Sequence, residues 1–220
     1  MGQYAQAHDT LNSVTMLRTR IPFIFAICLL WTQVSALRTQ KTLICFGDSI
    51  TAGYGEPESV SYPERLSQLM ASRSLPYRVV NAGVPGDTTT DALTRLPAIL
   101  ARHPQVVVVE FGGNDGLRGI DLSHTQSNLT AVVHRLRAAG IRVLLVGITL
   151  PPNYGPDYIR SFQHVFAQVA RSEHVPLMPM IYDGIYTVPG TIQADGIHPT
   201  AKGSQMIAEH MLPYLLPLLR

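Results

Sequence analysis

The sequence is poor in cysteine and in charge. Only two of its 220 residues are cysteines, Cys28 and Cys45, and charged residues make up 15% of the chain. Proteins that depend on a disulfide framework carry many cysteines, so this framework is excluded and an apolar core must hold the fold. The hydrophobic fraction of 46% is sufficient for the core of one globular domain.

The chain also lacks any concentration of one sign of charge. Its formal net charge is +2, and it contains no block of like charges and no internal repeat. Proteins that bind nucleic acid carry a strongly basic patch or stripe. We therefore expect no nucleic-acid partner.

One apolar run lies near the N-terminus, but it is short for a membrane span. A basic segment that begins at Met16 precedes an apolar stretch over 21–31, and Val-Ser-Ala ends at Ala36. This order is typical of a secretory signal peptide, whereas a spanning helix needs about 20 apolar residues. We expect translation from Met16, an extension and signal over 1–36 that is cleaved after Ala36, and a periplasmic or secreted domain over 37–220 without a stable membrane anchor. An uncleaved anchor is the alternative.

Apolar runs typical of strands alternate with helical patterns along the rest of the chain. Strands are predicted over 42–46, 77–83, 105–113, 142–148 and, more weakly, 175–180. Helices are predicted over 63–73, 88–102 (interrupted at Pro97), 123–139, 157–173 and 200–212. Strand–helix–strand units imply a parallel sheet covered on both faces. The predicted fold class is α/β: a three-layer α/β/α sandwich, flavodoxin-like, with a mostly parallel central sheet of about five strands.

Residues suited to catalysis follow three of the predicted strands and stand in one late loop. The first strand is followed by Ser49, the second ends at Gly83, and the third leads to Asn114. Asp195 and His198 lie in the loop before the last helix. The carboxyl ends of parallel strands meet at one edge of the sheet, where such folds have their working sites. We therefore expect these five residues to lie close together.

These residues have the chemistry of a serine hydrolase. A histidine can take the proton of a serine hydroxyl, which makes Ser49 the candidate nucleophile and His198 the candidate base. Asp195 stands three residues before the histidine and can hold the imidazole in the productive tautomer. The backbone N–H groups of Ser49 and Gly83 and the side-chain amide of Asn114 are candidate donors to the oxyanion. No metal or organic cofactor is expected.

Four sequence blocks resemble those of a known superfamily. They read GDSITAGYG, NAGVPGDTT, EFGGNDG and DGIHP, in this order, and the resemblance extends from about Thr42 to the C-terminus. On these blocks the chain is similar to the SGNH, or GDSL, hydrolases, and within them to the exported bacterial acyl-thioesterase I, protease I and lysophospholipase (arylesterase) group. The resemblance implies the same triad and the same oxyanion donors. Thr51 stands where relatives often carry serine, which is a small departure.

The resemblance also implies a substrate class. It implies that small acyl thioesters, aryl esters or lysophospholipids are cleaved through an acyl-enzyme on the serine, and that Leu150–Gly155 matches a mobile loop beside the acyl site. A monomer is the expected state for a domain of this size. The candidate substrate-binding residues are Asp48, Leu150, Pro151, Asn153, Tyr154 and Gly155.

The residues leave three other functions open. A carbohydrate O-acetyl esterase would use the same catalytic frame, and a non-catalytic binding module would keep the fold without turnover. A metal-dependent phosphoesterase would use Asp48, Asp87, Asp115, Asp195 and His198, although none of these forms an i, i+4 ligand pair on a helix. Resistance to chelators, together with inhibition by a serine-directed organophosphonate, distinguishes the serine enzyme from the metal enzyme.

Overall fold

The central sheet has five parallel strands in the order β2-β1-β3-β4-β5 in a computed structural model that describes residues 40–220. The strands are β1 (Lys41–Gly47), β2 (Tyr77–Gly83), β3 (Val106–Glu110), β4 (Arg142–Val146) and β5 (Leu177–Met178). Every neighbouring pair is parallel, which confirms the predicted α/β class. The extension and signal peptide expected over 1–36, with the cleavage after Ala36, lie outside the described residues.

Helices connect the strands and cover both faces of the sheet. They are α1 (Ser49–Ala52), α2 (Tyr62–Ser72), α3 (Thr89–Leu100), α4 (Gly113–Leu117), α5 (Leu122–Ala138), α6 (Pro156–Ser172) and α7 (Ala201–Leu215). Helices α2 and α7 pack on each other, whereas α5 packs on both α3 and α6. Right-handed crossovers place these two groups on opposite faces, because the chain moves outward from β1 in one direction and returns to β3 in the other. No helix within residues 40–220 is long and apolar enough to cross a bilayer.

Local sequence accounts for the best-defined elements. The four valines of β3 are all fully buried, as expected for a strand covered on both faces. Helix α3 begins with a capping box, in which Thr88 and Asp91 each bond to the other's backbone N–H. Thr200 caps α7 as predicted, since its side chain accepts from the Gly203 N–H.

Three of the differences from the predicted boundaries have a local physical reason. Helix α3 continues through Pro97 to Leu100, because a proline this near the helix end removes only one late hydrogen bond. Strand β3 ends at Glu110, and the left-handed backbone of Gly112 (φ 112°) turns the chain into α4. Strand β5 has only two residues, since the prolines on either side have no N–H for the ladder.

The strand order leaves a crevice above the carboxyl ends of β1 and β3. The chain leaves these neighbouring strands toward opposite faces, which is the position where open α/β sheets bind ligands. The register sets Gly47 beside both Gly83 and Glu110. The loops after β1, β2 and β3 therefore meet at this crevice.

Candidate active site

Ser49, His198 and Asp195 form one hydrogen-bonded chain at the carboxyl edge of the sheet. Ser49 is the first residue of α1, directly above β1, and the other two residues lie in the loop before α7. The Ser49 hydroxyl lies 2.9 Å from His198 Nε2, and His198 Nδ1 lies 2.6 Å from Asp195 Oδ2. The fold thus joins a serine and a histidine that are 149 residues apart in sequence.

The loop around Asp195 is built to hold an ionised carboxylate. Asp195 Oδ1 accepts hydrogen bonds from the backbone N–H groups of Ile197 at 2.9 Å and His198 at 3.0 Å. Partial burial acts to raise the pKa of Asp195, but the hydrogen bonds from the His198 ring and from the two backbone groups bring the pKa below its ordinary value. Because an ionised Asp195 accepts a hydrogen bond from the Nδ1–H group, Nδ1 keeps its proton and Nε2 is left to accept from the Ser49 hydroxyl.

Polar contacts fasten this loop to the segment that follows Ser49. Gln193 Nε2 donates to the carbonyl of Tyr54 at 2.8 Å and to that of Pro199 at 2.9 Å. The Tyr54 ring lies 4.8 Å from the His198 ring, between centroids. The imidazole therefore has an aromatic neighbour and a loop tied down beside it, which limits its movement away from Ser49.

The amide of Asn114 faces the same cavity and already has two partners. Asn114 Nδ2 donates to Asp48 Oδ2 at 3.1 Å and to the backbone carbonyl of Asp87 at 2.9 Å. Both Asn114 and Ser49 line the cavity described below. An oxyanion that binds this amide must share or replace one of these two acceptors.

The glycine expected as an oxyanion donor lies away from the cavity. The Gly83 N–H donates to Asn81 Oδ1 at 2.9 Å, and a Cβ at Gly83 would meet the Ala52 nitrogen at 2.2 Å. Gly83 therefore packs against the backbone of α1 with its N–H in use, and the expectation that it faces the substrate is corrected. The reason is that β2 ends at Gly83 while its loop runs on to the crevice.

Gly86, three residues further on, reaches the cavity instead. Gly86 is one of its lining residues and has a left-handed backbone with φ 86°, which favours glycine. Its carbonyl accepts from Arg118 Nη2 at 2.8 Å. Within residues 40–220 its N–H makes no backbone hydrogen bond. The loop after β2 thus offers a backbone donor at Gly86.

An apolar cavity of about 270 Å³ opens beside the Ser49 hydroxyl. Ile148, Leu150 and Pro151 form part of its wall, and His198 stands at the same opening. The other apolar and aromatic side chains of the wall come from distant parts of the sequence and are Ile50, Tyr54, Pro85, Leu117, Tyr182, Tyr186 and Ile197. The candidate nucleophile, the candidate base and the candidate amide donors therefore surround one largely apolar space.

A protein-family model joins this site to known enzymes. The model described as GDSL-like Lipase/Acylhydrolase family matches residues 45–206, which is most of the chain and includes all three residues of the hydrogen-bonded chain. The chain belongs to this family. It is an ester hydrolase of the GDSL family, and the names of its relatives agree with this activity.

Several named relatives of this GDSL-family enzyme cover nearly its whole length. The chain is 45% identical over 195 residues to "Esterase TesA" of Pseudomonas aeruginosa, covering 88% of this chain and 95% of that protein. It is 37% identical over 209 residues to "Thioesterase 1/protease 1/lysophospholipase L1" of Escherichia coli K12, covering 94% and 97%. The crystal structure of the psychrotrophic esterase EstA from Pseudoalteromonas sp., inhibited by monoethylphosphonate, superposes with a TM-score of 0.77 at 32% identity, covering 81% and 98%.

The structure divides the candidate substrate-binding residues of this GDSL-family enzyme into two groups. Asp48, Leu150 and Pro151 line the cavity. Asn153, Tyr154 and Gly155 are absent from its wall: the chain turns outward through a short 3-10 helix, Asn153 is exposed, and the Tyr154 hydroxyl donates to the Leu117 carbonyl at 2.8 Å. Substrate binding by these three residues stays a prediction.

Sequence reasoning missed the two tyrosines of the cavity wall. Tyr182 and Tyr186 pack edge to face, with centroids 4.9 Å apart, in the segment between β5 and α7. Their four-residue spacing predicts a shared side of a turn, but no local signal points that side toward Ser49.

The residues of the alternative metal site do not form a cluster of ligands. Among residues 40–220 no group of three His, Cys, Asp or Glu side chains could hold a metal ion.

Two buried carboxyl groups, Asp48 and Glu110, lie directly beneath the nucleophile of this GDSL-family enzyme. Asp48 Oδ1 accepts the Ile50 N–H at 3.0 Å as the cap of α1, and Glu110 Oε2 accepts from the Thr51 hydroxyl at 2.7 Å. Burial raises the pKa of Asp48 to about 6. Burial, with the charge of Asp48, raises the pKa of Glu110 well above its ordinary value. The folded protein therefore keeps protons here that the unfolded chain releases.

We expect these two carboxyl groups to make the stability of the enzyme fall as pH rises from about 4, the ordinary pKa of a carboxyl group, through about 6 and above. Rising pH favours the unfolded chain, because both carboxyl groups ionise more readily there. For Asp48 alone, a pKa raised by about two units corresponds to roughly 3 kcal/mol of unfolding free energy. Urea unfolding across this pH range measures the loss, and the Glu110→Gln variant should lose less than the wild type.

The exposed carboxyl of Glu64 on α2 provides the control for this experiment. The Glu64→Gln variant should follow the wild-type dependence on pH. Equal slopes for the wild type and the Glu110→Gln variant would show that Glu110 does not hold a proton in the folded protein.

Proposed function

We propose that this enzyme hydrolyses acyl esters and thioesters through a covalent acyl-enzyme on Ser49. The observation that carries the proposal is the continuous hydrogen-bonded chain from the Ser49 hydroxyl through His198 to Asp195, at 2.9 Å and 2.6 Å, at the mouth of an apolar cavity. This arrangement supplies a nucleophile, a base and a group that orients the base.

The proposed reaction has two halves that use the same base. His198 Nε2 takes the Ser49 proton while Oγ attacks the carbonyl carbon, and the tetrahedral intermediate collapses as the leaving alcohol or thiol takes that proton. The product of this half is an ester on Ser49. His198 then takes a proton from water, the hydroxide attacks the acyl carbon, and the proton returns to Ser49 as the carboxylic acid leaves.

We assign the oxyanion hole to the N–H groups of Ser49 and Gly86 and to the amide of Asn114. Gly86 replaces Gly83, because the Gly86 N–H belongs to a residue of the cavity wall and makes no backbone hydrogen bond within residues 40–220. The Asn114 amide is held at the cavity by Asp48 and Asp87. It can serve the oxyanion by loosening one of these bonds as negative charge develops.

The cavity wall favours an acyl chain over a sugar as the group that is bound. Ile148, Leu150 and Pro151 present hydrocarbon to the space beside Ser49. A volume of about 270 Å³ suits one acyl chain and is small for an oligosaccharide. We therefore propose single-chain acyl thioesters, aryl esters and lysophospholipids as substrates, in preference to acetylated carbohydrates.

A substrate panel tests this preference. Within a series of p-nitrophenyl esters we expect kcat/KM to rise by up to about fourfold for each added CH₂ while the chain still fits, because burial of one CH₂ is worth about 0.8 kcal/mol. Acyl thioesters should be cleaved as well. The proposal fails if acetylated xylo-oligosaccharides show the highest kcat/KM of the panel, and the Ser49→Ala variant gives the background rate.

We also propose that the enzyme acts outside the cytoplasm as a monomer. The basic, apolar and small segments that end at Ala36 support export. N-terminal sequencing of protein recovered from outside the cytoplasm should begin at Leu37, and light scattering should give the mass of one chain. An N-terminus upstream of the apolar run would contradict cleavage.

A further inference from the structure

Arg95 is a partly buried cation that lies outside the hydrogen-bonded chain of the active site. It belongs to α3, and only 25% of its side chain is exposed. Its guanidinium carbon lies 4.8 Å from the centre of the Phe46 ring and 5.6 Å from that of the Phe111 ring. Phe46 is the last residue but one of β1 and Phe111 directly follows β3, so the two rings hold the guanidinium close beneath the crevice.

The guanidinium contacts three separate segments of the chain. Nη2 donates to the carbonyl of Gly47 at 3.0 Å, and Nη1 donates to the carbonyl of Ala82 at 2.9 Å. Nε lies 2.6 Å from Asp87 Oδ2 and forms an ion pair with that carboxylate. The planar guanidinium group of Arg95 thus joins the end of β1, the end of β2 and the loop that follows β2.

Two of these contacts, those to Gly47 and Asp87, lead directly to donors of the proposed oxyanion hole. Gly47 stands two residues before Ser49 in the turn into α1. Asp87 directly follows Gly86, and its backbone carbonyl accepts from the Asn114 amide at 2.9 Å. Arg95 itself is absent from the cavity wall, so it is placed to act on the donors without touching the substrate.

We propose that Arg95 is a positioning residue that sets the relative placement of the three oxyanion donors. The proposal rests on the proposed function, since it needs an acyl intermediate whose charge those donors stabilise. Donors aimed at a developing charge must hold their places closely, because misplacement by about 1 Å can cost about 100-fold in rate. A planar guanidinium with five N–H groups can hold two carbonyls and a carboxylate at once, whereas the single ammonium of lysine cannot match that fork.

The test compares Arg95→Lys and Arg95→Met with the wild type in kcat and KM on a p-nitrophenyl ester. We expect kcat to fall roughly 10- to 100-fold in Arg95→Met and less in Arg95→Lys, with KM changed by no more than about twofold. The conservative variant keeps the charge and most of the stem, so it preserves a measurable protein if Arg95→Met does not fold. Wild-type kcat in the Arg95→Lys variant, or a loss confined to KM, overturns the proposal.

Arg137 offers a matched control for lost stability. It also forms an ion pair between a helical arginine and an acid, with Nη1 at 3.2 Å from Glu173 Oε2, and neither residue lines the cavity. Arg137→Met should lower the melting temperature and leave kcat within about twofold of the wild type. If Arg137→Met lowers kcat as much as Arg95→Met does, the effect is general destabilisation and the proposal is wrong.

A double-mutant cycle tests whether Arg95 acts through the oxyanion donors. In an Asn114→Ala background, Arg95→Lys should reduce kcat by a smaller factor than it does in the wild type, because one donor that it positions is gone. Fully multiplicative losses would overturn this route. The Ser49→Ala variant, measured alongside, separates the two failures: an active Ser49→Ala protein refutes the proposed function, whereas an inactive one with unchanged Arg95 variants refutes only the role of Arg95.

Discussion

The Ser49→Ala variant is expected to hydrolyse p-nitrophenyl butyrate about 10⁴-fold more slowly than the wild type, or slower still. Without Oγ there is no atom to form the acyl-enzyme, and the oxyanion donors alone leave only a small residual acceleration over water. The structure provides the reason for so large an effect, since this hydroxyl is the atom that lies 2.9 Å from the His198 base. Steady-state kinetics on the purified variant measure the loss.

The fold should survive this substitution. The bond to His198 is the one hydrogen bond of the Ser49 hydroxyl within residues 40–220, so its removal breaks no other hydrogen-bonded pair. Thermal unfolding of the variant should match the wild type, and Ser127→Ala, on the exposed side of α5, is the control for a lost serine hydroxyl. Treatment with an organophosphonate should label the wild-type peptide that contains Ser49. Substantial turnover by the Ser49→Ala protein would remove Ser49 from the mechanism.

The Asn114→Ala variant is expected to lose roughly 100-fold or more in kcat with a smaller change in KM. Removal of one oxyanion donor costs about 3 kcal/mol or more of transition-state stabilisation, and the donation to charged oxygen exists only after attack on the carbonyl. The amide is already aimed at the crevice, because Asp87 and Asp48 hold it there at 2.9 Å and 3.1 Å. Full kinetic curves on one ester separate kcat from KM.

Asn128 supplies the control for the structural part of that loss. Its amide also has two partners, the hydroxyls of Thr89 at 3.1 Å and Thr90 at 3.2 Å, and it joins α5 to α3 away from the cavity. Asn128→Ala should therefore change stability more than it changes kcat. A pure increase in KM for Asn114→Ala would mean that Asn114 binds the ground state of the substrate and does not stabilise the oxyanion.

The two glycines after β2 show where prediction from the sequence reaches its limit. The block NAGVPGDTT contains both, and the rule that functional groups stand at strand ends selects the first, Gly83. Only the structure shows that the Gly83 N–H is taken by Asn81 and that its Cα lies against Ala52 of α1. Asn81 lies two residues away in β2 itself and Ala52 belongs to α1, and no local pattern shows that these two contacts occupy Gly83.

The cavity wall also shows that sequence position does not determine which way a loop residue faces. Leu150 and Pro151 line it as expected, yet Tyr154, in the same six-residue segment, turns away to bond the Leu117 carbonyl. Tyr182 and Tyr186 complete the wall from a segment that the sequence marks only as a turn-rich connection. A residue at a known position in a loop can face either way, since the neighbour that fixes its direction belongs to another element.

Residues close together in the chain account for the helices and strands of this enzyme and for the chemical groups available to it. The buried valines of β3 and the caps of α3 and α7 depend on residues within a few positions of each other, and so do the turns that carry Ser49 and His198. Local propensity and periodicity act over that range, so a single sequence suffices. The tertiary structure determines which glycine faces the cavity and which residues form its wall. It also places Glu110 beside Thr51 under Ser49, and joins three segments of the chain through Arg95. Those outcomes depend on strand order and register, which bring together residues tens of positions apart and are set by packing of the whole sheet.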